Sequence, residues 1–392
     1  MTRLPHQPWM DWPETKALVR TFAEAKTEMR FVGGAVRDSL LLHPVEEVDI
    51  ATPAKPEAVT ALLERASIRA IPTGIEHGTV TALVENRHFE ITTLRRDMAC
   101  DGRHAEVEYT DSWEEDARRR DFTINALSCL PDGELFDYCG GLAHLRELRI
   151  VFIGEANERI KEDALRILRF FRFSAQLGAH EYDAKALAAC TENAGLITGL
   201  SGERIAQEMF KLLAAHALDP ALFAHMQSCN VLSQLLLPPP PAALTHASLD
   251  EDALARLALW LMGGAAKALA ERWKLSNTQQ KTLHALMHAA SLLKKIPAVP
   301  QLKKLLRAEG AETFCRAVRI AWACEPAEEH FFSQALILAE HWHIPLFPLT
   351  GQDLLERGYR QGKELGTKLH ALEKAWEAED YRPTREELLQ RL

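Results

Sequence analysis

The chain has 392 residues, with 46 Lys or Arg against 55 Asp or Glu, for a formal net charge of −9. Its length suggests two to four structural units at roughly 150 residues each. Its 47% hydrophobic and 26% charged content excludes disordered, collagen-like and coiled-coil chains. The longest apolar stretch, Leu257 to Ala266, falls short of the roughly 20 residues that a bilayer requires. The N-terminus lacks the apolar core of a signal peptide. Seven cysteines without a CxxC pair make no disulfide framework. A cytoplasmic protein without membrane association is expected. The acidic balance argues against a passive nucleic-acid coat but leaves room for one local basic face.

Strand and helix signals mix only up to about Asp137. Phe31 to Leu41 (FVGGAVRDSLL) reads as a short strand, a glycine turn and a helix start. VDIAT, GTVTALV and HFEITTL are β-branched and apolar runs of strand length. From Ile153 onward the periodicity is helical, and Glu162 to Gly178 places Leu165, Leu168, Phe171 and Ala175 on one stripe. Pro238 to Pro241 cannot continue a helix and marks a break. Ala/Leu-rich helices follow, punctuated by Pro297, Pro300, Pro326, Pro345 and Pro348, with no internal repeat. The expectation is an α+β chain. A small mixed head (1–137) precedes a helical neck (138–237) and a helical body and tail (242–392). Trp260 and Trp273 read as core. His284 and His288, four apart with no acid or cysteine to complete a site, read as a helical pair rather than metal ligands.

Four stretches carry chemistry. Gly33-Gly34, after a strand and before a helix, let the backbone approach a ligand. The N–H groups at the helix start attract phosphate oxygens, and Arg37 adds a charged donor. A plain glycine turn with a surface Arg37–Asp38 pair is the alternative. Glu47 and Asp49, two apart on an expected strand, point the same way. Side-by-side carboxylates repel, and a divalent cation such as magnesium is the usual reason to hold them together. Glu90 supplies a third acid from another strand. If those strands are neighbours, the three could hold two metals, activating an attacking hydroxyl and supporting leaving pyrophosphate. A solvated strand face is the plainer account of each acid alone.

In Arg119-Arg120-Asp121-Phe122-Thr123-Ile124-Asn125, the arginines suit phosphate or ribose, while Asp121 and Asn125 can bond sugar hydroxyls or orient the arginines. A helix cap with surface charges is equally compatible. Finally, Asp163, Arg166, Arg169 and Arg172 step by three along an expected helix, so neighbours in the series are adjacent. An Asp acceptor beside an Arg donor complements the amino group and ring nitrogen of cytosine and adenine, and mismatches uracil and guanine. The alternative is an intrahelical salt bridge worth about 0.3–0.5 kcal/mol.

Together GGAVRD, EVDIAT, FEITT, RRDFTINA and EDALRILRFFRF resemble, in order and approximate spacing, the class II tRNA nucleotidyltransferase and bacterial poly(A) polymerase superfamily. The resemblance spans about Phe31 to Leu212, including Ser201 to Ile205, and returns weakly in PLTGQDLLERGYRQGKELG. It implies that Glu47 and Asp49 bind magnesium and that Glu90 completes the carboxylate set. It further implies that Gly33, Gly34 and Arg37 hold a triphosphate, and that Arg120, with Asp121 and Asn125, contacts sugar or phosphates. Asp163 and Arg166 would read the incoming base, supported by Arg169 and Arg172. Arg95 to His104 matches the polar loop that helps the family switch from C to A addition, and Phe136 to Gly141 the hinge between head and neck. The family's usual Asp is replaced here by Glu47, whose extra methylene shifts the carboxylate by about one bond length before a metal strict about geometry. The activity implied is addition of CCA to the tRNA 3′ end from CTP and ATP, with the body gripping the acceptor arm and no obligate protein partner. A poly(A) polymerase, a C-only or A-only enzyme, and a non-catalytic RNA-binding relative are the alternatives.

Overall fold

A computed structural model describes residues 3–72, 74, 78–97, 107–216 and 218–392. Residues 98–104 of the expected polar loop lie outside the described residues. The chain divides into two compact units, Met1–Leu236 and Leu237–Leu392.

In the first unit, Pro13 opens helix α1 (Pro13–Glu24), at a position where its missing N–H is no loss. There follow β1 (Arg30–Val32), α2 (Gly34–Leu40), β2 (Asp49–Thr52), α3 (Pro56–Arg65), β3 (Arg69–Ile71) and β4 (Thr79–Val84). Next come β5 (Arg87–Thr93), β6 (Arg95–Asp97), β7 (Val107–Tyr109), α4 (Trp113–Arg118), β8 (Ser128–Cys129) and β9 (Leu135–Phe136). Seven strands form one sheet in the order β3-β4-β5-β2-β1-β8-β9, and β6 pairs separately with β7. Among the described strands of this sheet only β2 and β5 run parallel. The strands expected from β-branched runs are β1, β2, β4 and β5; β3 and β6 to β9 have only two or three residues each and carry no readable pattern.

The register places the chemistry. Val32, the last residue before the glycine pair, stands opposite Asp49. Ile50 stands beside Ile91, so the residues preceding them bring Asp49, the first of β2, alongside Glu90 in the middle of β5. Phe31, Ile50, Phe89 and Ile91 are buried, and α3 packs on β3, β4 and β5.

After the sheet come α5 (Gly141–Arg146), α6 (Ala156–Glu162), α7 (Leu165–Leu177), α8 (Ala184–Asn193), α9 (Gly202–Leu213), α10 (Pro220–Ser228) and α11 (Val231–Gln234). The stripe of Leu165, Leu168, Phe171 and Ala175 is buried as the spacing predicts. Ile167, Phe170, Phe173 and Ser174 are buried as well, so α7 is enclosed on nearly every side. Phe122, from the turn after α4, joins Phe152 at 4.8 Å and Phe173 at 5.7 Å. That aromatic cluster ties the turn to α7. One expectation fails: the helix does not run unbroken from Glu162. Asp163 is extended (φ −151°, ψ 105°) and separates α6 from α7. Its carboxylate accepts the Leu165 N–H at 3.1 Å, a local bond of the kind that competes with helix continuation.

The second unit holds α12 (Ala253–Trp260), α13 (Ala266–Arg272), α14 (Asn277–Leu293), α15 (Val299–Cys324, interrupted at Gly310), α16 (Glu329–His341), α17 (Gly351–Glu356), α18 (Lys363–Ala378) and α19 (Arg385–Leu389). Trp260 and Trp273 are core residues as expected. Among the described residues no helix is long and apolar enough to cross a membrane.

Gly141 shows how tightly the site's support is packed. Asp137 caps the start of α5, accepting the Gly141 N–H at 2.9 Å and the Leu142 N–H at 2.9 Å. A Cβ at Gly141 would lie 2.2 Å from the Thr123 carbonyl oxygen. Gly141→Ala should therefore cost about 1–3 kcal/mol in a denaturant titration, as overpacking against backbone does; an unchanged midpoint would refute the contact.

Candidate active site

The glycine turn is built for close approach. Gly33 has φ 62°, a left-handed conformation that favours glycine, and a Cβ there would meet Arg120 Nη1 at 3.4 Å. Arg37, one turn into α2, grips Asp38 with two bonds of 2.8 Å and gives Nη1 to Asn125 Oδ1 at 2.7 Å. The Arg37–Asp38 pair exists, but as part of a network rather than as a free surface pair.

The arginines after α4 are held from behind. Buried Asp116 accepts Arg119 Nε at 2.8 Å and Arg120 Nη2 at 3.1 Å. Burial works to raise the Asp116 carboxyl, and the two guanidinium groups outweigh it and hold it below its ordinary value. Asp121 is also buried. Its Oδ2 takes Arg169 Nε at 2.7 Å, and its Oδ1 takes the Phe122 N–H at 2.8 Å and Asn125 Nδ2 at 3.0 Å. Burial again opposes ionisation, and Arg169 with these hydrogen bonds prevails. The Asp121 and Asn125 side chains thus bond Arg169 and Arg37 rather than the side chains of the neighbouring Arg119 and Arg120, which Asp116 holds.

On α7, Arg172 is 7% exposed and pairs with Glu208 of α9, 5% exposed, at 2.6 Å. Burial pushes the Arg172 guanidinium down to about 10, against the pull of Glu208. The Phe173 ring lies under three guanidinium carbons, those of Arg172 at 3.9 Å, Arg37 at 4.9 Å and Arg169 at 5.3 Å.

Asp163 and Arg166 do not pair with each other along one helix, as their spacing suggests. Asp163 Oδ2 accepts Arg204 Nη2 of α9 at 2.8 Å, while Arg166 Nη1 goes to Glu162 Oε2 at 2.5 Å and to the Arg159 carbonyl at 2.6 Å. The extended backbone at Asp163 is the reason: it turns the carboxylate toward α9.

One cleft of about 490 Å3 gathers these groups. Gly33, Gly34, Arg37, Arg120, Asp121, Asn125, Asp163, Arg166, Arg169 and Arg172 all line it, and so does Asp49. Arg119 lines it too, and Leu165, Phe173 and Arg204 complete it beyond the expected set. Glu47 and Glu90 lie instead on an adjoining cleft with Trp12, Arg87 and His88, and Asp49 lines both. Arg204 falls inside the Ser201–Ile205 motif, which was the signal available for it. Asp116 and Glu208 gave none, because their roles arise from packing.

The acids need one correction. β2 begins at Asp49, so Glu47 lies in the irregular segment before the strand, exposed, though it shares a cleft with Asp49 and Glu90. Among the described residues no three His, Cys, Asp or Glu side chains form a group able to hold a metal ion, and the expected three-acid cage is not preformed. The donors nonetheless fit a hard divalent cation. Burial, the charge of Glu90 and that of Glu47 push the Asp49 carboxyl up to about 6, against Arg120. Such frustrated carboxylates suit magnesium, which uses one or two of them together with water and phosphate oxygens.

A mixed sheet carrying a glycine turn and acids on and just before neighbouring strands, beside an arginine-lined cleft, defines a nucleotidyltransferase. Residues 29–151 match the family model described as the poly A polymerase head domain. CCA tRNA nucleotidyltransferase 1, mitochondrial, of Mus musculus is 34% identical over 400 residues, covering 95% of this chain and 88% of that protein. The CCA-adding enzyme of Limosilactobacillus fermentum is 33% identical over 380 residues, covering 93% and 92%. The crystal structure of the Bacillus stearothermophilus CCA-adding enzyme in complex with CTP superposes with a TM-score of 0.78 at 27% identity, over 96% of this chain and 94% of that one. The chain belongs to the CCA tRNA nucleotidyltransferase family.

Asp49 carries a testable consequence for the metal-free protein. Its carboxyl is raised from 3.8 to about 6. The folded state therefore keeps the proton longer than the unfolded chain. That contribution to stability is full below about pH 4 and is lost as pH rises through 6. In EDTA, the melting-temperature advantage of Asp49→Asn over wild type should grow from near zero at about pH 4 to roughly 2–5 °C at pH 7.5. A difference independent of pH would contradict the repulsion.

Proposed function

We propose that this protein completes the 3′ CCA end of tRNA from CTP and ATP, releasing pyrophosphate. The supporting observation is the convergence of glycine turn, arginines, Asp163 and Arg166 on one cleft that reaches Asp49. The incoming nucleotide lies there with its triphosphate against the Gly33-Gly34 turn, Arg37 and Arg120. Arg119 shares this load, and Asp116 leaves both arginines with N–H donors to spare. Asp163 accepts from the base amino group while Arg166 donates to the neighbouring ring nitrogen. Arg204 and Glu162 keep the two readers apart, so each presents an unspent face. The tRNA 3′-hydroxyl attacks the α-phosphorus from the side of the adjoining cleft, and pyrophosphate leaves along the arginines.

Magnesium held by Asp49, with Glu47 and Glu90 beside it, would neutralise charge on the reacting phosphates and favour ionisation of the attacking hydroxyl. Glu47 in place of Asp is accommodated because it lies off the strand, where the irregular backbone can adjust for one methylene. The helical second unit would hold the acceptor arm through its phosphates. Six described cysteines without disulfides support a reducing, cytoplasmic setting.

The test supplies tRNA lacking CCA with each nucleotide and magnesium. Wild type should write CCA and stop, and long A tracts on unrelated RNA would overturn the assignment. Asp49→Ala should lower incorporation at least about a hundredfold. Asp163→Ala and Arg166→Ala should each lower the preference for CTP over UTP by about ten- to a hundredfold, the range of one lost bidentate contact.

A further inference from the structure

Arg159 closes the last turn of α6 and is 9% exposed. It does not line the nucleotide cleft. Its guanidinium is spent inside the protein. Nη2 donates to the main-chain oxygens of Arg119 and of Arg120, the latter at 2.9 Å, and Nη1 to Glu162 Oε2 at 2.5 Å. Those two carbonyls follow directly on α4, where helix carbonyls lack intrahelical donors and attract a cation. The main chain of Arg159 faces the other way. Its carbonyl accepts Arg166 Nη1 at 2.6 Å and the Asp163 N–H at 3.4 Å.

We propose that Arg159 is a positioning residue that mechanically joins base reading to triphosphate alignment. One end holds the backbone that carries Arg119 and Arg120, and the other holds both Asp163 and Arg166. The inference rests on the base-reader role proposed above. A base that draws Asp163 and Arg166 into register seats the end of α6. The buried fork passes that position to the turn beside the phosphates, and a mismatched base leaves the turn displaced. The planar guanidinium suits the task because it spans two carbonyls and a carboxylate at fixed angles, which an ammonium on a flexible stem does not. Arg159 therefore governs selectivity without touching nucleotide.

The experiment compares wild type, Arg159→Lys and Arg159→Met on tRNA lacking CCA, measuring KM, kcat and single-turnover incorporation for CTP and UTP. Each protein is first checked for folding by circular dichroism and gel filtration. Arg159→Met should raise KM for CTP and lower the CTP-to-UTP preference, each at least about tenfold, and Arg159→Lys should lower that preference about threefold. A purely supporting residue would reduce kcat equally for both nucleotides and leave the preference intact, and that result overturns the proposal. Should Arg159→Met fail to fold, Arg159→Lys decides: an unchanged preference overturns, and a lowered one supports. A wild type without preference for CTP refutes the base-reader role and the proposal together. A discriminating wild type with unaltered variants refutes the proposal alone.

Discussion

Like charges crowded around one cleft repel, and everything in this site depends on how that repulsion is met. Seven arginines and three aspartates line the cleft. Three buried carboxylates, Asp116 and Glu208 behind this lining and Asp121 within it, each grip at least one guanidinium. Removing one partner of a buried pair costs about 3–5 kcal/mol because the other charge is stranded. The acids therefore act as fixed anchors. They keep the arginines pointed inward, with donors left over for a polyanion. Phe173 adds an apolar floor under three of these groups, which limits their freedom without consuming their hydrogen bonds.

Much of this arrangement was legible from local pattern. The glycine pair after a strand, the acid at the head of VDIAT and the acid inside HFEITT each carry their meaning within a few residues, and the sheet register joins them as neighbouring strands should. What resisted reading depends on partners far along the chain. Nothing near Asp163 announces Arg204, 41 residues on, because that contact requires α9 to pack beside α7. The run EDALRIL has an uninterrupted helical pattern. Only the carboxylate turning back to the Leu165 N–H breaks it. Glu47 was misplaced by one step, since a strand of four residues starts at Asp49 and the alternation continues into irregular backbone. Asp116 and Glu208 look like ordinary helix acids until burial reveals them.

The same cleft thus holds acids of opposite character, and the contrast separates support from chemistry. Asp121 is more buried than Asp49, yet its carboxyl is held low because Arg169 and two N–H donors sit against it. Asp49 is raised by burial first and then by the charges of Glu90 and Glu47, with Arg120 too weak a counterweight. Environments that drive neighbouring acids apart mark a division of labour. Asp121 is satisfied by the fold and serves it. Asp49 is left in deficit by the fold, and a divalent cation there, as proposed above, would make up the difference. Stability alone would favour an amide at Asp49, so a carboxylate there fits the metal-binding role proposed for it better than a role in packing.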